Sequence, residues 1–407
     1  MLKFIHSGPL AALFECGFRP FFLFTAITAV LAVAAWAGFL IFGMPLPLTP
    51  NGPIVWHAHE MLAGFAMASV AGFVLTAIPE FTSTRMIDRH HVFILLILWI
   101  TGRVAFVIPM IALAGTIVAM IADLGLLGML TAIVAPRLWH DVNHRHLSFV
   151  WILLAMITAT GGFYFDTLIG TYPMRWLLVM TGLMMTLIVV AMSRISMRIV
   201  NAALSQAGET AATYLARPPR RNLAIFCILL YTLAEFVAPQ HPVSGWIALA
   251  AAAALFNLTN DWHIGRALLQ RWALMLYLVY WFMALGYAVI GMAILMETAW
   301  VSAGRHLLMV GALGLAVFAV MNIAGRIHAG VEPDKRIWVL VAVTLIASAA
   351  VLRAMMNFGQ ISASLAIAAA SACWITAFSL HLIFHWRVLT RPRTDGQHGC
   401  AGIANDA

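Results

Sequence analysis

Charge is scarce in this chain. Only 9% of its 407 residues are Asp, Glu, Lys or Arg, against roughly 25% in average soluble proteins. Hydrophobic residues make up 63%, and the mean hydropathy of +0.96 is that of a chain solvated mostly by lipid. A soluble enzyme, a secreted disulfide scaffold and a disordered regulator are all excluded. Cysteine is scarce too: Cys16, Cys227, Cys373 and Cys400 stand far apart, with no CxxC and no CxxCH. That excludes a covalent c-type haem and a Cys-rich zinc or iron–sulfur site. What is left is an all-α, polytopic helical membrane protein.

A bilayer core of about 30 Å needs about 20 helical residues. Apolar runs between charged or Pro/Gly/Asn breaks give about twelve spans, near 20–43, 55–78, 91–111, 113–135, 147–168, 173–193, 222–239, 243–260, 272–295, 305–324, 336–356 and 360–386. With the N-terminus in the cytoplasm, 19 of the 23 Lys and Arg fall in cytoplasmic segments. The far side keeps Arg175, Arg305 and Arg353, and Arg103 lies within a span. That bias expects both termini in the cytoplasm of a multi-pass protein of the bacterial inner membrane. It also explains the formal charge of +8 without nucleic acid. The chain reads as one membrane domain, 1–407, with a central cytoplasmic loop at 194–221 between two six-helix halves. No convincing sequence repeat relates the halves, and the polar tail 391–407 reads as disordered.

Charged groups near the bilayer centre cost at least about 2.5–3.5 kcal/mol and need partners. Arg103 is the clearest case, with Glu60 and Glu235 nearer the outer ends of their spans; the acids and Arg103 could simply neutralise one another. The strongest local pattern is Trp56-His57-Ala58-His59-Glu60-Met61. On an α-helix, positions two apart point about 200° away from each other, so His57 and His59 cannot both bind one metal unless the backbone there is not yet helical. His57, Glu60 and Gly64 share one face; His59, Leu62 and Ala66 share another. Small residues Gly64, Ala68 and Gly72 follow every four positions, leaving room for a neighbouring helix or a planar cofactor. His306, beside Arg305 and above Gly311 and Gly314, opens the tenth span at the same expected depth. Imidazoles from facing helices suit haem iron or copper. His381 and His385, spaced i, i+4, could bind a metal on one helix face but read as interfacial beside Arg387. His328 offers a second, inner site. Arg19, before Pro20, reads as structural, capping polar groups or touching lipid phosphate.

The segment Gly17-Phe18-Arg19-Pro20-Phe21-Phe22, followed by Trp56-His57-Ala58-His59-Glu60-Met61 and by Gly72-Phe73-Val74-Leu75-Thr76-Ala77-Ile78-Pro79, resembles the NnrS family. Weaker similarity continues to Arg391-Pro392-Arg393, so it spans essentially the whole chain. The resemblance implies an inner-membrane protein holding haem and copper, linked to denitrification, that binds or responds to nitric oxide and relieves nitrosative stress. Tyr277 stands where the family often has His, which bears on the copper. Combined with the residue pattern, the expectation is a non-covalent haem b. His306 and one of His57 or His59 would be its ligands, with Arg103 and Arg305 available to its propionates. Glu60 and the other histidine would orient a ligand or hold copper. The expected partners are nitric oxide or a related small molecule and the lipid bilayer. The alternative is a twelve-helix secondary transporter without haem, although no discontinuous span is evident.

Overall fold

A computed structural model describes residues 3–8, 10–47, 51–107, 112–141, 144–209 and 213–400. After a single turn at Lys3–His6, the helices are α1 Phe18–Phe42, α2 Gly52–Phe81, α3 Arg89–Val107, α4 Ala112–Trp139, α5 Ser148–Leu168 and α6 Met174–Gln206. They continue as α7 Pro218–Val237, α8 Pro242–Thr259, α9 Arg271–Leu295, α10 Val301–Ile327, α11 Trp338–Asn357 and α12 Ala363–Thr390. No strand occurs among the described residues. The all-α membrane expectation therefore holds.

Eleven of these helices are long and apolar enough to cross a bilayer. The remaining one, α7, has 20 residues, a length of about 30 Å. Arg220 and Arg221 in its first turn dilute its apolar character. Cys16, before α1, and Cys400, after α12, lie with Cα atoms 5.4 Å apart, so the two ends of the helical region meet.

Local sequence explains the helix ends. Pro20 in the first turn of α1, and the prolines opening α7 and α8, need no N–H donor there. Gly43 ends α1 in the left-handed conformation at φ 64°, where its N–H caps the Phe39 carbonyl.

The chain falls into two compact units, and not into a first and a second half. Unit one comprises 1–177, 320–339 and 375–407; unit two comprises 178–319 and 340–374. The expected loop at 194–221 is also shorter than it reads, because α6 continues to Gln206. Ser196, Val200, Ala203 and Leu204 supply a buried stripe at helical spacing that keeps this polar stretch packed. Within the tail, Arg391–Cys400 is docked by hydrogen bonds instead of disordered; residues 401–407 lie outside the described residues.

Two helices change pitch in the same way. In α2 a π-helical segment, Glu60–Ala66, begins directly after His59. In α10 another, Leu307–Leu313, begins directly after His306. Each then carries glycine five positions beyond its histidine, Gly64 and Gly311. Segments of this kind recur at functional sites. This one likeness between the two units escapes a search for sequence repeats.

Candidate functional site

Unit one holds a charge network built from four consecutive spans. Arg103 of α3 donates from Nη2 to both Asp123 carboxylate oxygens of α4, at 2.7 and 2.6 Å. Its Nη1 donates to Glu60 Oε1 of α2 at 3.0 Å. Tyr164 of α5 donates its hydroxyl to Asp123 Oδ2 at 2.6 Å. His59 closes the ring, with Nδ1 3.1 Å from Glu60 Oε1 and Nε2 3.4 Å from the Tyr164 oxygen and 3.6 Å from Asp123 Oδ2. All five side chains are buried. The His59 ring lies against Phe106 and Phe163, with centroids 4.1 and 4.7 Å away.

Two carboxylates, Glu60 and Asp123, thus flank the Arg103 guanidinium, and His59 and Tyr164 close the ring around them. Such a network can hold four helices in register.

The π segment is what lets adjacent residues meet. At α-helical pitch, His59 and Glu60 diverge by about 100°, and the sequence assigned them to different faces. With the wider turn beginning at Glu60, both side chains reach one network. The same segment offers the Gly64 carbonyl to Trp99 Nε1 at 3.1 Å. His57 goes elsewhere and stacks on Trp36 of α1 at 4.5 Å. The two histidines of the Trp56–Met61 segment thus have different surroundings.

In unit two, Arg305 pairs with Glu235 Oε1 at 2.7 Å. His306 donates from Nδ1 to the Ser302 carbonyl at 2.7 Å, and its Nε2 accepts from Arg353 Nη2 at 3.0 Å.

A different pair of histidines stands out back in unit one. His381 and His385 of α12 are both 0% exposed, and their rings stack at 4.2 Å with an 11° interplanar angle. His385 reaches back one turn to the His381 backbone. Trp338 covers the pair edge-on at 5.6 Å from His385. The interfacial reading of this pair is thus corrected. The face of α12 carrying both rings packs inward, although the sequence around it ends in the basic Arg387.

The profile of the family described as NnrS protein matches residues 12–393, nearly the whole chain. The chain belongs to the NnrS family. No functionally curated protein matches it. This NnrS chain can therefore be tested directly against the haem and copper its family resemblance implied.

The residues nominated for haem hold protein partners instead of an open cradle. Both nitrogens of His59 and of His306 are engaged, and Arg103 and Arg305 are neutralised by carboxylates. Nor do the glycines leave room. A Cβ on Gly72 would meet the Phe22 ring at 2.9 Å. On Gly311 it would meet Phe282 at 2.5 Å, and on Gly314 Trp374 at 2.6 Å. Close aromatic packing uses the space the glycines free. His328, the other inner candidate, has Nδ1 2.9 Å from the Cys400 carbonyl and Nε2 3.3 Å from Glu80 Oε2.

Arg19 is structural, as its position suggests. It is 0% exposed and donates to the Val388, Leu389 and Arg391 carbonyls, capping the end of α12. Two members of the network, Asp123 and Tyr164, escaped the sequence reading. Asp123 carried a signal, since a carboxylate amid the apolar run 113–135 needs a cation as much as Arg103 needs an anion.

No group of three or more His, Cys, Asp or Glu able to hold a metal occurs among the described residues. The stacked rings of His381 and His385, 4.2 Å apart, leave no space for a macrocycle between them.

Proposed function

We propose that this NnrS chain, oriented with both termini in the cytoplasm of the inner membrane, responds to nitric oxide and relieves nitrosative stress through copper held by His381 and His385. The observation carrying this reading is the pair itself: two imidazoles one turn apart on α12, both fully buried, with ring centroids 4.2 Å apart. Imidazoles spaced i, i+4 on one helix can share an ion. Copper bound there would supply a site for a small neutral ligand. Trp338 packs against the pair with Phe384 behind it, and Arg326, Asp334 and Arg336 are the charged groups that act on His385. Haem b at His306 with His57 or His59 has less support, since the nominated groups are already paired.

Cells expressing the wild type should clear nitric oxide from a donor compound, followed by electrode, faster than cells expressing His385→Ala at equal abundance. Equal clearance would remove the role given to the pair. A second reading, proton-coupled transport, draws on the His59–Glu60–Arg103–Asp123–Tyr164 network, since buried ionisable groups in spans form proton relays. Proteoliposomes that acidify on addition of a solute, with no copper in the protein, would favour it.

A further inference from the structure

Cys16 and Cys400 are 384 residues apart in sequence and joined in the structure, with Cα atoms 5.4 Å apart. Both lie in unit one, where the tail folds back over the start of α1. The docking is extensive. Arg393 donates to the His328 carbonyl at 2.8 Å and pairs with Asp395. The Gly399 N–H donates to Glu15 Oε1 at 3.0 Å. The Cys400 N–H meets Met86 Sδ at 2.9 Å, and its carbonyl meets His328 Nδ1. Arg19 gathers the carbonyls where α12 gives way to the tail. Four separate segments of the chain thus meet at one cysteine pair.

Disulfides persist in oxidising compartments, whereas cytoplasmic ones are transient and redox-sensing. The basic-residue bias puts this face in the cytoplasm. We infer that Cys16 and Cys400 form a redox modification site: a dithiol that a low-molecular-weight disulfide oxidises, locking the tail onto unit one. The inference rests on the cytoplasmic orientation proposed above but not on copper.

The asymmetry of the pair sets the order of events. Cys400 is half-buried and Cys16 fully buried, so the external reagent meets Cys400 first. The Cys400 thiolate attacks oxidised glutathione, forming a mixed disulfide and releasing one glutathione thiolate. The Cys16 thiolate then attacks Cys400 Sγ and releases the second. Two protein thiols lose two electrons and two protons, and one glutathione disulfide becomes two thiols. In the reduced state the Cys16 thiol has a partner waiting: Thr76 Oγ1, 3.7 Å away, whose own proton goes to the Gly72 carbonyl.

The test uses the full-length protein. Cells are acid-quenched and free thiols mass-tagged, before and after exposure to diamide and after its removal. Cys16 and Cys400 should be free in unstressed cells, joined after diamide and free again on recovery. A pair joined under all conditions, or never joined, would overturn the inference. So would labelling of Cys400 by an impermeant maleimide applied from the periplasmic side, which would contradict the orientation as well. On the purified protein treated with oxidised glutathione, trypsin should cut after Arg393 several-fold more slowly than on the dithiothreitol-treated form. Cys400→Ser, which leaves the buried Cys16 in place, should be cut fast in both buffers. Equal cutting of the two wild-type forms would show that the bond does not hold the tail.

Discussion

Arg103 and Asp123, on spans joined by a short connection, meet inside unit one with the Arg103 Nη2 within 2.7 Å of both Asp123 oxygens. Neither charge could stay in an apolar bundle alone. Each is explained by the other, and Glu60 and His59 are drawn in around them. Removing one partner of a buried pair typically costs about 3–5 kcal/mol, because the other is left uncompensated. Asp123→Ala should therefore unfold at markedly lower temperature in detergent and accumulate poorly. Adding Arg103→Met should recover part of the loss. A double variant no better than the single would show that the two side chains act independently.

Tyr164→Phe keeps the ring and removes the hydroxyl that donates to Asp123 at 2.6 Å. A hydrogen bond to a charged group contributes about 1.5–3 kcal/mol, so this variant should be less damaging than Asp123→Ala. Thermal unfolding of the two side by side checks the order.

How much of this was legible in the sequence varies with the kind of signal. Apolar length is a sum over many residues, and it gave the helices. Arg103 and Glu60 announced themselves by cost; Asp123 carried the same signal amid its apolar run but was overlooked. The pairing of His59 with Glu60 was hidden, because an α-helical wheel separates neighbours that a π segment brings together. Burial of His381 and His385 was hidden as well. Histidine beside Arg at a span end fits an interface and a packed face equally, and only the neighbouring Trp338 and Phe384 decide it. The join between Cys16 and Cys400 depends on the path of the whole chain, which no local pattern carries.

Gly304 and Gly286 set how closely α9 and α10 approach in unit two. A Cβ on Gly304 would lie 2.6 Å from the Gly286 carbonyl oxygen, which is backbone and cannot turn aside. Gly304→Ala should cost about 1–3 kcal/mol through overpacking. Because His306 is two residues on, its bond with Arg353 should loosen too. An unchanged unfolding temperature would contradict that close packing.

Asp395 lies outside the spans, and its carboxyl is held down to about 2 by hydrogen bonding with Arg393, against a smaller opposing effect of burial. Its unfolded value is about 3.9. A depressed acid stabilises the docked tail above the unfolded value and loses that contribution as pH falls through the folded one. In Cys400→Ser, where no bond holds the tail, hydrogen exchange of the 394–400 amides, corrected for its intrinsic pH dependence, should speed up as pH falls from 5 toward about 2. Asp395→Asn should show that faster exchange already at neutral pH.

The most direct measurement of the central claim is the copper content of purified full-length protein, for wild type, His385→Ala and His306→Ala at equal folded yield. The account predicts copper in the wild type and in His306→Ala, and its loss in His385→Ala. Copper kept by His385→Ala and lost from His306→Ala would contradict it, and would return the metal to the outer histidines His57, His59 and His306.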